Sequence, residues 1–107
     1  MIVFQRNVIE EFDDLVFSLY TQDYFYSLMA AEVYVDKIID FIKTKIVTFP
    51  SKKSPKMLQT YGSRYIFYKA NKRTTWFIFF ENYNQNYLIT KIINNHIGDS
   101  KYLNEDI

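Results

Sequence analysis

The sequence predicts an α+β fold: an N-terminal strand, an antiparallel helical hairpin, and a small three-stranded antiparallel meander that the hairpin covers. Three observations carry this. Apolar residues recur at steps of three and four through the first half of the chain. Phe49-Pro50 then stops that pattern. Three short runs rich in Tyr, Phe, Ile and Trp follow, separated by four- and five-residue polar connections that only suit antiparallel neighbours.

Taken in order, Ile2 to Gln5 is a short apolar run that reads as a first strand. Asn7 has the chemistry of a helix N-cap, and Glu10 three residues on completes a capping box. Val8, Phe12, Leu15 or Val16, and Leu19 recur at helical spacing to about Thr21. Glu10, Glu11, Asp13 and Asp14 crowd the first two turns, where the helix dipole favours negative charge. Asp23 is a candidate cap for a second helix, whose stripe is Leu28, Ala31, Val35, Ile38, Ile42 and Ile46. Tyr24, Phe25 and Tyr26 are placed to plug the closed end of the hairpin. Proline cannot continue a helix and disfavours helical backbone just before itself, so this helix ends at Phe49-Pro50. Ser51 to Thr60 is a polar loop, and Tyr61-Gly62-Ser63 a turn. Strands are expected over Arg64–Ala70, Thr75–Glu81 and Tyr87–Asn94.

The chain of 107 residues suits a single domain, residues 1–107, ending in a C-terminal tail over 97–107. With no Cys, a disulfide scaffold and a Cys-built zinc site are excluded. One His and scattered carboxylates give no metal-ligand spacing, and no cofactor motif or Gly-rich phosphate loop occurs. The N-terminus is too polar for a signal peptide, and no apolar run approaches the ~20 residues of a bilayer span. A cytoplasmic location and no membrane partner are expected.

Charge is distributed unevenly. Residues 1–40 carry eight acids against Arg6 and Lys37, whereas residues 41–80 carry nine bases and no acid. Such a block projects positive potential toward an anionic partner unless the acidic helices fold back on it. The strands are apolar on both faces. Trp76, Ile78 and Phe80 oppose Phe77 and Phe79, and Ile66 and Tyr68 oppose Tyr65 and Phe67. Helices cover one face, so the other needs the tail, a second copy or a different chain. Tyr65, Phe67, Phe77 and Phe79 are therefore expected to meet a partner, with a homodimer as one form of it. Lys52, Lys53, Lys56, Arg64 and Lys69 are candidates for binding a phosphate or a target. His96 is the one side chain whose ordinary pKa, near 6.5, suits proton transfer at neutrality.

This order of elements resembles the RelE/ParE superfamily of toxins from bacterial toxin–antitoxin pairs. Phe12-Asp13-Asp14-Leu15, Tyr20 and Ala30 to Ile38 are similar to the family's two helices. Phe49-Pro50 resembles its helix stop, Arg64-Tyr65-Ile66-Phe67-Tyr68 its signature strand, Trp76–Phe80 its next strand, and Leu88–Ile93 with Asn95-His96 its last. The likeness spans about residues 1–96. It implies a type II toxin held silent by a cognate antitoxin that is acidic and folds on binding. ParE-like members poison DNA gyrase, and RelE-like members cut mRNA in the ribosome. By that resemblance Arg64 and His96 are the catalytic candidates and the loop lysines the phosphate contacts. The Arg expected after the last strand is replaced by Asn94-Asn95-His96, and Tyr102 is the nearest C-terminal Tyr. The missing Arg favours ParE-like target binding over RelE-like cleavage, with a non-toxic interaction module as a further alternative.

Overall fold

The computed structural model describes residues 1–22 and 25–106. Strand β1 (Ile2–Phe4) leads into helix α1 (Arg6–Thr21), followed by helix α2 (Leu28–Lys45). Then come β2 (Lys52–Lys53), β3 (Arg64–Lys69), β4 (Thr75–Tyr83) and β5 (Asn86–Asn94). Two 3₁₀ turns, Lys56–Leu58 and Gly98–Tyr102, flank the β3–β5 meander. No helix among the described residues is long and apolar enough to cross a membrane.

The α+β hairpin-on-sheet reading holds, but the sheet is larger than a three-stranded meander. It has five strands in the order β1-β5-β4-β3-β2. The meander is antiparallel, whereas β1 pairs parallel with β5, setting Ile2 opposite Tyr87 and Phe4 opposite Ile89. The helical hairpin is the crossover that lets the first strand return alongside the last, as a parallel pair requires. The ends of β4 and β5 also extend further than expected. Only Asn84 and Gln85 separate them, and Asn84 takes φ 60°, a left-handed backbone that Asn tolerates.

Both expected caps are corrected. Gln5 occupies the N-cap of α1 with no side-chain hydrogen bond, and Asn7 lies inside the helix. The Asn7 amide instead donates to the Thr90 carbonyl at 3.2 Å, tying α1 to β5. Ser27 caps α2, its hydroxyl accepting from the Ala30 N–H at 3.1 Å. Asp23 and Tyr24 lie outside the described residues.

The periodic stripes become the main core. Val8, Phe12, Val35, Ile38, Ile42 and Ile46 pack on Ile66, Trp76, Ile78, Phe80, Ile89 and Ile92. The opposite face holds a second cluster of Tyr65, Phe67, Phe77, Phe79 and Ile93. Leu58, Tyr61 and Leu103 close over it, so the chain's own loop and tail supply the missing cover. Between Phe79 and Phe80 the β4–β5 register shifts, and Thr90 is the extra residue of this bulge.

Candidate functional site

Arg64 opens β3, opposite Phe80 on β4 and Lys53 on β2. Its guanidinium is engaged within the fold. Nε donates to the Ser51 hydroxyl at 2.8 Å and Nη2 donates to the Ser51 carbonyl at 2.9 Å. The planar fork thereby pins the chain just ahead of β2. Lys52 and Lys53 lie on β2, and Lys56 follows in the first 3₁₀ turn, with Lys53 and Lys56 exposed. These four bases gather at one end of the sheet.

Lys69 and His96 stand elsewhere. Lys69 ends β3 opposite Thr75, five residues from Arg64 and so roughly 17 Å along the strand. The exposed His96 ring places Nε2 3.2 Å from the Thr74 hydroxyl, and the His96 N–H donates to the Asn94 side-chain oxygen at 2.9 Å. His96 therefore belongs with Lys69 at the far end of the ladder. Arg64 and His96 are not brought together, so they do not form one acid–base site.

The aromatic residues expected to meet a partner are also placed differently. Tyr65, Phe67, Phe77 and Phe79 are buried, none more than 4% exposed. The Tyr65 hydroxyl accepts from the Asn104 N–H at 2.9 Å, and Thr75 donates to the Glu105 carboxylate at 2.5 Å, which anchors the tail across them. As folded, these four side chains are covered by the chain's own loop and tail. Tyr102, in the tail turn, is partly exposed and sits beside Lys101.

The acidic helices do not cancel the basic block through ion pairs. Among the described residues the ion pairs are Arg6 with Glu10 and Lys91 with Glu11. Neither involves a base from residues 41–80. The outer edge of β3 is partly open as well. β2 pairs only with Arg64 and Tyr65, so among the described residues the edge from Ile66 to Lys69 has no strand neighbour. Beside that edge lies an apolar groove of about 390 Å³ lined by Val33, Tyr34, Tyr68 and Ala70, with Lys37 at its side.

Two arrangements were not anticipated. A cleft of about 520 Å³ runs from the end of α1 to the β3–β4 turn, lined by Leu19, Phe25, Tyr34, Asn71, Trp76 and His96. Inside it the Trp76 indole N–H donates to the Tyr34 hydroxyl at 2.9 Å. Burial pushes the Tyr34 pKa above its ordinary value; the Trp76 hydrogen bond opposes this and Tyr68 adds to it. The second is a strap at the bulge. Lys91 bonds Glu11 at 3.0 Å and lies over the Tyr61 ring, while the Tyr61 hydroxyl donates to Asp99 at 2.7 Å. That hydrogen bond is the main cause raising the Tyr61 pKa. The sequence signal for this strap was a lone lysine inside an apolar strand. Among the described residues no group of three His, Cys, Asp or Glu side chains comes together.

Compared with protein-family models, curated proteins and solved structures, the chain matches none of them.

Proposed function

We propose that this chain is a type II toxin of the RelE/ParE kind, acting in the ParE-like manner. It binds an essential protein target such as DNA gyrase and is neutralised by an acidic antitoxin. A fold alone assigns no activity. The reading draws on the resemblance of the helix and strand motifs, which fall in the order β1-α1-α2-β2-β3-β4-β5. The observation that favours target binding over RNA cleavage is the separation of Arg64 from His96. General acid–base catalysis needs its groups within hydrogen-bond reach of one reacting centre. Arg64 is held by Ser51 and has no His or carboxylate partner among its hydrogen bonds.

The antitoxin's place is the open edge of β3 beside the Tyr68–Ala70 groove, where an extended segment adds a strand. Lys37 and Lys69 flank that edge and favour acidic side chains on the incoming segment. The buried aromatics Tyr65, Phe67, Phe77 and Phe79 support the sheet from beneath rather than contacting the antitoxin.

The alternative, ribosome-dependent mRNA cleavage, draws on the gathering of Lys52, Lys53, Lys56 and Arg64 at one end of the sheet. Induced expression combined with a gyrase supercoiling assay and mapping of mRNA ends separates the two. Growth arrest with inhibited supercoiling and intact mRNA is the expected outcome. Translation-dependent cleavage makes the RelE-like reading correct. Expression without growth arrest leaves the interaction module. Purified protein should leave naked RNA uncut; cleavage lost in His96→Ala would overturn the proposal.

A further inference from the structure

The outer side of the helical hairpin carries a groove lined, among the described residues, by α1 and α2 alone. Its apolar floor is the half-buried Val16 from α1 and Ile39 from α2, with the core residues Phe12 and Val35 beneath them. Its rim is Asp13, Glu32 and Asp36. No base lines it. Asp13, Glu32 and Asp36 take part in neither ion pair found among the described residues.

The apolar surface continues beyond the groove toward the closed end of the hairpin. Phe17 stands one turn after Asp13 and is 66% exposed, Tyr20 follows at 43%, and Leu28 one turn before Glu32 is 46% exposed. Residues three and four apart share a helix face, so Asp13, Phe17 and Tyr20 form one bank and Leu28, Glu32 and Asp36 the other. An amphipathic helix stripe normally turns its apolar residues inward. Here Phe17, Tyr20 and Leu28 are instead turned outward, edged by Asp13, Glu32 and Asp36, three acids of like charge.

We infer that this groove is a docking surface for a basic amphipathic helix. An apolar stripe on the incoming helix would lie on Val16 and Ile39, and reach Phe17, Tyr20 and Leu28. Lysine or arginine on its flanks would meet Asp13, Glu32 and Asp36. The charge of the rim selects among occupants. A second copy presenting the same face would set acid against acid. An acidic segment, such as the one proposed for the β3 edge, would meet the same repulsion. The inference stands independently of the toxin reading, because it uses neither the basic block nor the sheet.

The test uses a labelled 18-residue Leu/Lys amphipathic helical peptide, a scrambled peptide of the same composition, and a Leu/Glu counterpart. Binding to the full chain is read by fluorescence anisotropy at low and high salt. The Leu/Lys helix should bind at least about tenfold more tightly than either control peptide, because only it matches both stripe and charge. Its affinity should fall as salt rises through the range where screening shortens to a few ångströms. The triple change Asp13→Lys, Glu32→Lys and Asp36→Lys should weaken it at least about tenfold, and Phe17→Ser by several-fold. A Lys101→Gln variant, altered on the exposed tail across the sheet, should bind as the parent does. Equal binding of the scrambled or Leu/Glu peptide overturns the inference. So does undiminished affinity in both Phe17→Ser and the triple variant. A concentration-dependent dimer that Phe17→Ser abolishes assigns the groove to a second copy and overturns it too.

Discussion

Gly62 sits where the turn before β3 presses on the β4–β5 bulge. A Cβ there would lie 2.6 Å from the Thr90 hydroxyl oxygen, 2.9 Å from the Phe80 nitrogen and 3.0 Å from the Phe79 Cβ. Thr90 is itself held, because its hydroxyl donates to the Tyr61 carbonyl. The backbone has no direction in which to give way. Gly62→Ala should therefore cost about 1–3 kcal/mol, the usual range for forcing a methyl group into a packed site. It should appear as a lower urea midpoint with an unchanged slope. An unchanged midpoint would mean that the turn can lift off the bulge. Ile38 tests the main core in the same way. It is fully buried between the helices and the sheet, and Ile38→Asp adds a carboxylate with no partner. That costs several kcal/mol or more against a total of roughly 5–15, so the domain should lose its cooperative transition. Arg64 lies at the start of a strand outside both core clusters, so Arg64→Ala should keep the fold. It removes two hydrogen bonds to Ser51, which predicts loosening of β2, seen as faster amide exchange at Lys52 and Lys53.

At the level of elements, the long periodic segments were legible in type and face, whereas among the short ones β1 was legible as a strand but not in its pairing. The stripe from Ala31 to Ile46 and the alternation of Trp76 to Phe80 each repeat a period often enough to fix both type and face. Three-residue β1 repeats nothing, and its parallel partner lies some 85 positions away in β5. Only closure of the tertiary fold decides that pairing. Two-residue β2 gave no signal inside a polar loop for the same reason. Two-faced apolar strands were legible as a demand for cover, yet the cover proved to be the chain's own tail and loop. Leu103 is one of four scattered apolar residues in the tail, too sparse for any periodicity to mark. The candidate site residues divide in a related way. Arg64 and Lys69 stand at the two ends of β3, a spacing visible in the sequence, whereas the pairing that sets His96 near the Lys69 end is not. The tail now carries a prediction. Leu103→Asp should unseat the strand-like tail from Tyr65 and destabilise the protein by about 1–3 kcal/mol. Binding of an apolar dye should rise as Tyr65, Phe77 and Ile93 are uncovered. A variant as stable and dye-silent as the parent would show that Tyr61 and Leu58 suffice as cover.

Across the whole molecule, two surfaces of opposite sign coexist: bases along the β2–β3 side and acids along the outer hairpin. Helix and sheet meet through apolar residues, and among the described residues only Lys91 with Glu11 bridges the two layers by charge. Stability near neutral pH should thus depend little on titration. Alkaline pH is different, because Tyr34 and Tyr61 both have pKa values raised above the ordinary value near 10. For Tyr34 the chief cause is burial, and for Tyr61 the hydrogen bond to Asp99. Both causes favour the protonated phenol in the folded state. The unfolded chain, with unshifted tyrosines, then loses these protons first. Their contribution is fully present below pH 10 and is lost as pH rises from there through the raised folded values. Chemical denaturation from pH 7 to 12 should show a plateau, then a decline beginning near pH 10. Tyr34→Phe separates the two contributions. At pH 7 it should lower stability by about 1–3 kcal/mol, because the Trp76 indole N–H, only 6% exposed as a residue, loses its acceptor. Above pH 10 the same variant should decline more gently than the parent, having one fewer raised phenol to ionise. Parallel alkaline slopes in parent and Tyr34→Phe would mean that Tyr34 ionises without resistance from its surroundings, and that the Trp76–Tyr34 contact is open to water.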